Sequence, residues 1–339
     1  MVDIHEVLET VIASPQGCTI ATILRVAGSS YRKEGSMMVF REDGTKVGML
    51  SAGCIEEELY LYTKDLSNEK WSIHEFDMRE ENDLSWGVGC NGIIYILLEK
   101  VNYIYQEYLR KVRGYREKGL RVWMIKDLLK SKTLFFSEEG HEFGDWEGEI
   151  PVLSELKNGW YEHLYVYCFE PRPKLFVIGA GEDAKPLVSL AKETGFFVTI
   201  CDWREGLCTP LRFPEADRHV VGFPKKILSR ISIKKQDFIM IMTHHFKRDQ
   251  ELLSLLQNQP CRYLGILGSR YRTARLLGGV NKPKWIFSPA GLSIGSEGPM
   301  EIAISIMAEM IQIMRMKNDE NIRDISSSRK EQKNRSGDT

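Results

Sequence analysis

The chain carries no excess of either charge. Its 339 residues include 46 Lys plus Arg against 47 Asp plus Glu, a formal net charge of −1. Proteins that coat nucleic acid or anionic membranes carry a basic surplus, so this balance argues against both partners. Cys-x-x-Cys pairs are also missing. The seven cysteines are odd in number and lack ferredoxin-like or zinc-ribbon spacing, which excludes a disulfide scaffold, a zinc ribbon and an iron–sulfur subunit. No apolar run reaches about 18 residues, and no charged-then-apolar leader ends in a small-residue cleavage site. The expectation is a soluble, reduced, cytoplasmic protein. What is present is ordinary: 43% hydrophobic and 27% charged residues, a mix that supports a buried core in about two domains.

Punctuation along the chain divides it into a domain over 1–170, a second over 171–316 and a tail over 317–339. The tail holds only Ile322 and Ile325 as large apolar residues beside the run Ser326-Ser327-Ser328, too little to offset the entropy of ordering, and reads as disordered. Glu170-Pro171-Arg172-Pro173 reads as an extended linker. The stretch 136–149, rich in Gly, Glu and Asp, reads as a hairpin loop or surface excursion. The first domain predicts a helix from 4, strands over 19–26, 36–40, 71–76 and 93–99, and helices over 55–66 and 103–118, an α+β pattern. The second alternates: strands over 175–178, 197–201, 219–221, 237–242, 263–267 and 285–288, separated by helices over 182–194, 248–257 and 271–277, with a last helix over 300–316. Alternation of this kind makes a Rossmann-like, doubly wound parallel sheet, so the fold class is α/β with an N-terminal α+β domain.

Gly179-Ala180-Gly181-Glu182-Asp183-Ala184 is a G-x-G-x-x-A turn directly after a predicted strand. Gly179 permits the tight turn, Gly181 lets backbone approach a pyrophosphate, and a helix N-terminus favours phosphate. Asp202 closes the next strand, 23 positions after Gly179, where an acid would meet a ribose hydroxyl. Glu182 and Asp183 bring opposing negative charge to the same place. NAD(P) or another nucleotide is therefore one occupant of this crevice, and a purely structural turn is the other reading. Two more loops leave the carboxyl ends of strands. One holds His244, either a ligand contact or a packed histidine. In the other, Ser269 and Arg270 form an anion seat, or simply a helix cap and a solvated cation.

Two cysteines stand in glycine-rich loops: Ser51-Ala52-Gly53-Cys54-Ile55-Glu56 and Gly87-Val88-Gly89-Cys90-Asn91-Gly92. Gly53 and Gly89 let a bulky ligand reach both backbone and sulfur, and a helix start favours the thiolate. Two such thiols facing one cleft would suit a soft, sulfur-loving metal centre, with Cys54 and Cys90 as its ligands. Ordinary burial is the alternative for both. The loop Gly28-Ser29-Ser30-Tyr31-Arg32-Lys33-Glu34-Gly35 reads equally as a phosphate seat using Arg32 or as a solvated hairpin. The other five cysteines read as packing.

In this order, these segments resemble the XdhC/CoxI family of accessory proteins for molybdenum hydroxylases. The loop from Gly28 to Gly35 is similar to the family's G-S-[ST]-x-R-x-x-G, the Cys54 loop to S-G-G-C-[LVI]-E, and the Cys90 loop to G-x-G-C-G-G. The turn at Gly179, the Thr243-His244 loop, the loop Gly265 to Arg270, and Pro289-Ala290-Gly291-Leu292-Ser293-Ile294-Gly295 complete the series. Ala52 and Asn91 stand where the family usually has glycine, and His245-Phe246 replaces its Asp-x-His. The resemblance implies a chaperone that binds the molybdenum cofactor (molybdopterin) through Cys54 and Cys90, supports its sulfuration, and inserts it into an apo xanthine dehydrogenase or related hydroxylase in purine catabolism. It also implies a cysteine desulfurase as partner, a homodimer, and no catalytic residue of its own. Close relatives are called xanthine dehydrogenase subunits. The competing readings are an NAD(P)-dependent oxidoreductase and a non-catalytic docking subunit.

Overall fold

The computed structural model describes residues 2–14, 17–66, 70–79, 92–148, 158–257, 259, 261–278, 283 and 285–316. The chain divides into two units between Arg172 and Pro173. The segment 80–91, which carries Gly89 and Cys90, and the tail at 317–339 lie outside the described residues.

Unit 1 begins with helix α1 (Val2–Ala13), whose Val7, Leu8 and Val11 are buried at helical spacing. Strands β1 (Cys18–Gly28), β2 (Met37–Arg41) and β3 (Lys46–Gly48) follow, then helix α2 (Glu56–Asp65), β4 (Trp71–Asp77) and β5 (Gly92–Val101). They form an antiparallel sheet in the order β3-β2-β1-β5-β4. Both of its faces are covered: Ile20, Leu24 and Leu97 pack with the α1 side, and Ile23, Ile96 and Leu98 with Leu59 of α2. That accounts for the unbroken apolar run at the start of β1, since a strand buried on both faces loses its alternation.

Helix α3 (Tyr103–Glu117) starts where Asn102 accepts the Tyr105 N–H at 2.9 Å, a side-chain cap that satisfies one free donor of the first turn. Strands β6 (Val122–Asp127), β7 (Lys132–Ser137), β8 (Glu142–Gly144), β9 (Gly159–Tyr161) and β10 (Leu164–Phe169) make a second antiparallel sheet, ordered β8-β7-β6-β10-β9. The stretch read from sequence as a hairpin loop or surface excursion holds the end of β7 and the short edge strand β8, which pair as an antiparallel hairpin.

Unit 2 alternates strand and helix: β11 (Lys174–Ile178), α4 (Ala184–Glu193), β12 (Phe197–Asp202), β13 (Arg218–Val221), α5 (Pro224–Arg230), β14 (Phe238–Ile241), α6 (Phe246–Leu256), β15 (Tyr263–Ile266), α7 (Arg270–Leu276), β16 (Ile286–Phe287) and α8 (Gly298–Arg315). The sheet is parallel, in the order β13-β12-β11-β14-β15-β16. Leu175 and Val177 face one core with α4 and α8; Phe176 and Ile178 face the other, with α5 and α6. Strand order reverses between β11 and β14, and that switch point is where such sheets open a crevice. Among the described residues no helix is long and apolar enough to cross a membrane.

Candidate functional site

The glycine turn after β11 is built by close approach. Gly179 has φ +124°, and a Cβ there would stand 2.4 Å from the Met242 carbonyl oxygen. Only glycine lets the β11 and β14 ends meet this tightly. Its N–H donates to Cys201 O at 2.8 Å, and the Ala180 N–H donates to Asp202 Oδ2 at 2.7 Å. Asp202 is fully buried. Its oxygens also accept from the Arg204 backbone at 2.8 Å and from the Arg204 guanidinium at 3.0 and 2.8 Å. Burial alone would raise this carboxyl, but those hydrogen bonds outweigh it and hold Asp202 below the usual aspartate range. The residue expected at a ribose thus stands at the turn with both oxygens engaged by protein. Arg204, two residues on, was not anticipated; the Asp-x-Arg spacing at a strand end is the signal that could have found it.

The two acids of the turn each find a side-chain partner nearby. Glu182 pairs with Lys185 at 2.8 Å and with Arg212. Asp183, whose carboxylate lies beside Gly181, pairs with His244 Nε2 at 2.6 Å. This contact joins the loops after β11 and β14, and His244 takes a left-handed φ of +58°, a conformation held against strain. Behind it, Thr243 donates to buried Asp249, which pairs with Arg272 Nη1 at 2.8 Å. Ser269 caps the short helix α7 by accepting the Arg272 N–H at 3.2 Å, and Arg270 is exposed beside it. Gly291 is anchored from below, its N–H donating to Glu309 of α8 at 2.7 Å while Tyr263 Oη donates to the same oxygen at 2.9 Å.

In unit 1 the Gly28 loop meets the start of β5 at one end of the first sheet. Gly28 pairs with Gly92 across β1 and β5, and a Cβ on Gly92 would stand 2.4 Å from Ser29 O. The chain entering β5, two residues after Cys90, therefore presses against the Gly-Ser-Ser loop. That loop is itself folded down: Gly35 has φ +81°, and a Cβ there would stand 2.4 Å from the Tyr167 ring. Arg32 is half-buried within it. Cys54 is half-buried and packs on the cluster that contains Phe76, Met78 and Ile94. Gly53 beside it has φ +101° and open space where a Cβ would point.

The start of α2 is occupied by its own chain. Ser51 Oγ accepts the Gly53 and Cys54 N–H groups at 3.2 and 3.0 Å, and it donates to Glu56. Glu56 also accepts the Leu50, Ser51 and Ile55 N–H groups at 3.2, 2.7 and 3.2 Å. Burial pushes its carboxyl up, yet the Ser51 and Leu50 hydrogen bonds hold it below the usual glutamate range. The N-terminal donors expected to favour a Cys54 thiolate are thus shared with Ser51 and Glu56. The remaining described thiols are poor nucleophiles: burial pushes Cys18 and Cys261 to about 11 and Cys168 to about 12, and raises Cys201 and Cys208. Among the described residues no group of three His, Cys, Asp or Glu is placed to hold a metal ion.

The chain matches the family described as XdhC Rossmann domain over 175–310, XdhC and CoxI family over 11–77, and BH1974-like, central domain, over 103–170. The last interval covers α3 and the second sheet. A solved crystal structure named as a xanthine dehydrogenase from Bacillus halodurans superposes with a TM-score of 0.87 and 41% identity, over 94% of this chain and 97% of that one. The molybdenum cofactor insertion chaperone PaoD of Escherichia coli (strain K12) is 22% identical over 89% of this chain and 85% of its own. A protein of Bacillus subtilis (strain 168) named as a probable xanthine dehydrogenase subunit is 38% identical over 92% of this chain and 98% of its own length. On that likeness, spanning both units, the chain belongs to the XdhC and CoxI family.

Proposed function

We propose that the chain is an accessory protein to a xanthine dehydrogenase or related molybdenum hydroxylase, and that it binds the molybdenum cofactor, supports its sulfuration and hands it to the apo-enzyme. The cofactor is cargo in this reading, not a resident group. Two likenesses support the reading: a near full-length one to a probable xanthine dehydrogenase subunit, and a weaker one to a cofactor insertion chaperone. The structural observation that carries it is the Cys54 loop, a half-buried thiol beside a glycine with open space. Cys54 would supply a soft sulfur contact to the cargo, with Cys90 as its partner and Arg32 near an anionic group. A cysteine desulfurase is the sulfur donor this role requires, and a homodimer is its expected form. The test is cofactor retention by chain purified anaerobically from its own host. Cys54→Ala and Cys90→Ala should each hold at least about tenfold less molybdopterin; retention equal to wild type in both variants would refute the thiol assignment.

A nucleotide at the unit 2 crevice is a second reading, favoured by the strand order and the close approach at Gly179. The engagement of Asp202 by Ala180 and Arg204 weighs against a ribose contact there. Fluorescence titration with NADH separates the two, since a dehydrogenase should saturate well below millimolar cofactor.

A further inference from the structure

Charge is balanced over the whole chain but not along it. Residues 218–278 carry 12 Lys and Arg against 3 Asp and Glu, while all other positions together carry 34 against 44. Of the 12 cations in this stretch, most stand on α5, α6 and α7. These helices cover the same face of the parallel sheet, with Ile227, Leu252 and Leu276 buried in one cluster beneath them. Helix α6 packs against both α5 and α7. The outer surface of this layer is therefore cationic.

The acids of the stretch are already engaged. Asp237 is buried and accepts the Lys234 N–H at 2.8 Å. Asp249 is buried against Arg272, and Glu251 pairs with Arg248 at 3.1 Å. The exposed Lys225, Lys226, Lys247, Arg270 and Arg275 have no carboxylate partner among the described residues. The first turns of α5 and α7 contain no acid, although acids are favoured there. Like charges on one layer repel and lower stability. A cost with no compensating contact inside the chain points to recognition.

The arginine geometry indicates what is recognised. Arg248 lies over the Phe223 ring, 4.5 Å from its centroid, and Arg275 stands 5.1 Å from the Phe246 centroid and 5.8 Å from that of Tyr271. Phe223 and Tyr271 are exposed. A guanidinium laid on a ring keeps its N–H edge free, and that edge fits a carboxylate through two parallel hydrogen bonds. Arginine with exposed Phe and Tyr is the composition of protein interfaces. A guanidinium at each ring leaves less platform for stacked bases, which mark single-stranded nucleic-acid sites. The patch acts over only about 10 Å at 0.1 M salt, and the rest of the chain has an excess of acid, so a long polyanion gains little from it. A symmetric contact with a second copy would set the patch against itself.

We propose that the outer surface of α5, α6 and α7 docks a protein partner through an Asp- and Glu-rich patch on that partner. Arg270 and Arg275 take carboxylates in fork geometry, Lys225 and Lys247 add charge around them, and Phe223 and Tyr271 make the apolar contacts. The surface goes beyond the cofactor reading and does not rest on it. No thiol and no cofactor takes part, so either can fail alone.

Fluorescence anisotropy of the full chain with labelled poly-L-glutamate tests it at low ionic strength, with poly(U) of equal charge and phosphatidylserine vesicles as the other two classes. Polyglutamate should bind saturably and at least about threefold more tightly than poly(U). Lys225→Glu combined with Lys247→Glu should weaken that binding about tenfold or more. Lys111→Glu combined with Lys130→Glu, an equal reversal at exposed positions of unit 1, should change it less than about twofold. Arg275→Lys keeps the charge but loses the fork, and should weaken binding about threefold. All variants should keep the far-ultraviolet circular dichroism spectrum of the wild type. No saturable binding of polyglutamate, equal or tighter binding of poly(U) or of the vesicles, an equal loss in the unit 1 control, or full affinity in Arg275→Lys would overturn the proposal.

Discussion

Glu56 does at the start of α2 what a bound anion would otherwise do. It collects the Leu50, Ser51 and Ile55 N–H groups in a site only 7% exposed. Glu56→Gln keeps the shape but loses the charged acceptor, and should lower stability by about 1–3 kcal/mol at pH 7, read from urea denaturation midpoints. The pH dependence has a definite sign. The folded carboxyl titrates below its ordinary value of 4.5, so its contribution is complete above that value and is lost as pH falls through the folded one. The gap between wild type and Glu56→Gln should therefore close on acidification below about 4.5, and a gap that widens in acid would contradict the assignment. Gly179→Ala should be worse. It forces a Cβ to 2.4 Å from Met242 O at a φ of +124°, so a loss of about 3 kcal/mol or more is expected in thermal melts. The Gly179 turn was legible because only glycine suits its geometry. The duty of Asp202 was not, because its partners lie on other segments that the motif does not name.

At the level of elements, periodicity located the long helices well: 103–118 was expected and α3 spans Tyr103–Glu117. It missed α5, a helix of 7 residues, too short to establish a period. It also missed the strands of the second sheet, β6 to β10, among them β8, whose charged and glycine-rich sequence pairs with β7 on a sheet edge. Edges tolerate such composition because one side of the strand faces water. The tie between the β14 loop and α7 was equally invisible, since Asp249 and Arg272 lie 23 positions apart. Asp249 is 1% exposed and binds both Thr243 and Arg272. Asp249→Ala should cost about 3–5 kcal/mol by leaving Arg272 unpaired. The double variant Asp249→Ala, Arg272→Met should cost less than the sum of the single variants, and strict additivity in a double-mutant cycle would show the pair to be uncoupled. Ser269→Ala, which removes only the α7 cap, should cost about 1 kcal/mol.

For the whole molecule, the division after Arg172 leaves unit 2 with both faces of its sheet covered by its own helices. A fragment spanning 173–316 should therefore unfold cooperatively by itself. A broad, non-cooperative melt in calorimetry would show that it needs unit 1. In unit 1, by contrast, one core draws on α1, α3 and both sheets: Val11, Leu97, Val112, Phe135 and Tyr165 are buried together. That joint core is the reason the two antiparallel sheets fold as one unit although different family descriptions match them.

The sequence by itself determined the class of each half and the family. Alternation of strand and helix leaves few ways to bury both faces of a parallel sheet, and ordered glycine and cysteine motifs survive without knowledge of contacts. Only the tertiary structure decided which polar groups remain available to a ligand. It committed Asp202 to Arg204 and Ala180, Asp183 to His244, and Glu56 to the start of α2. It also paired Lys126 with Glu99. The physical reason is common to all of these. A buried charge must find its partner in space, and the partner's distance along the chain carries no record of that choice.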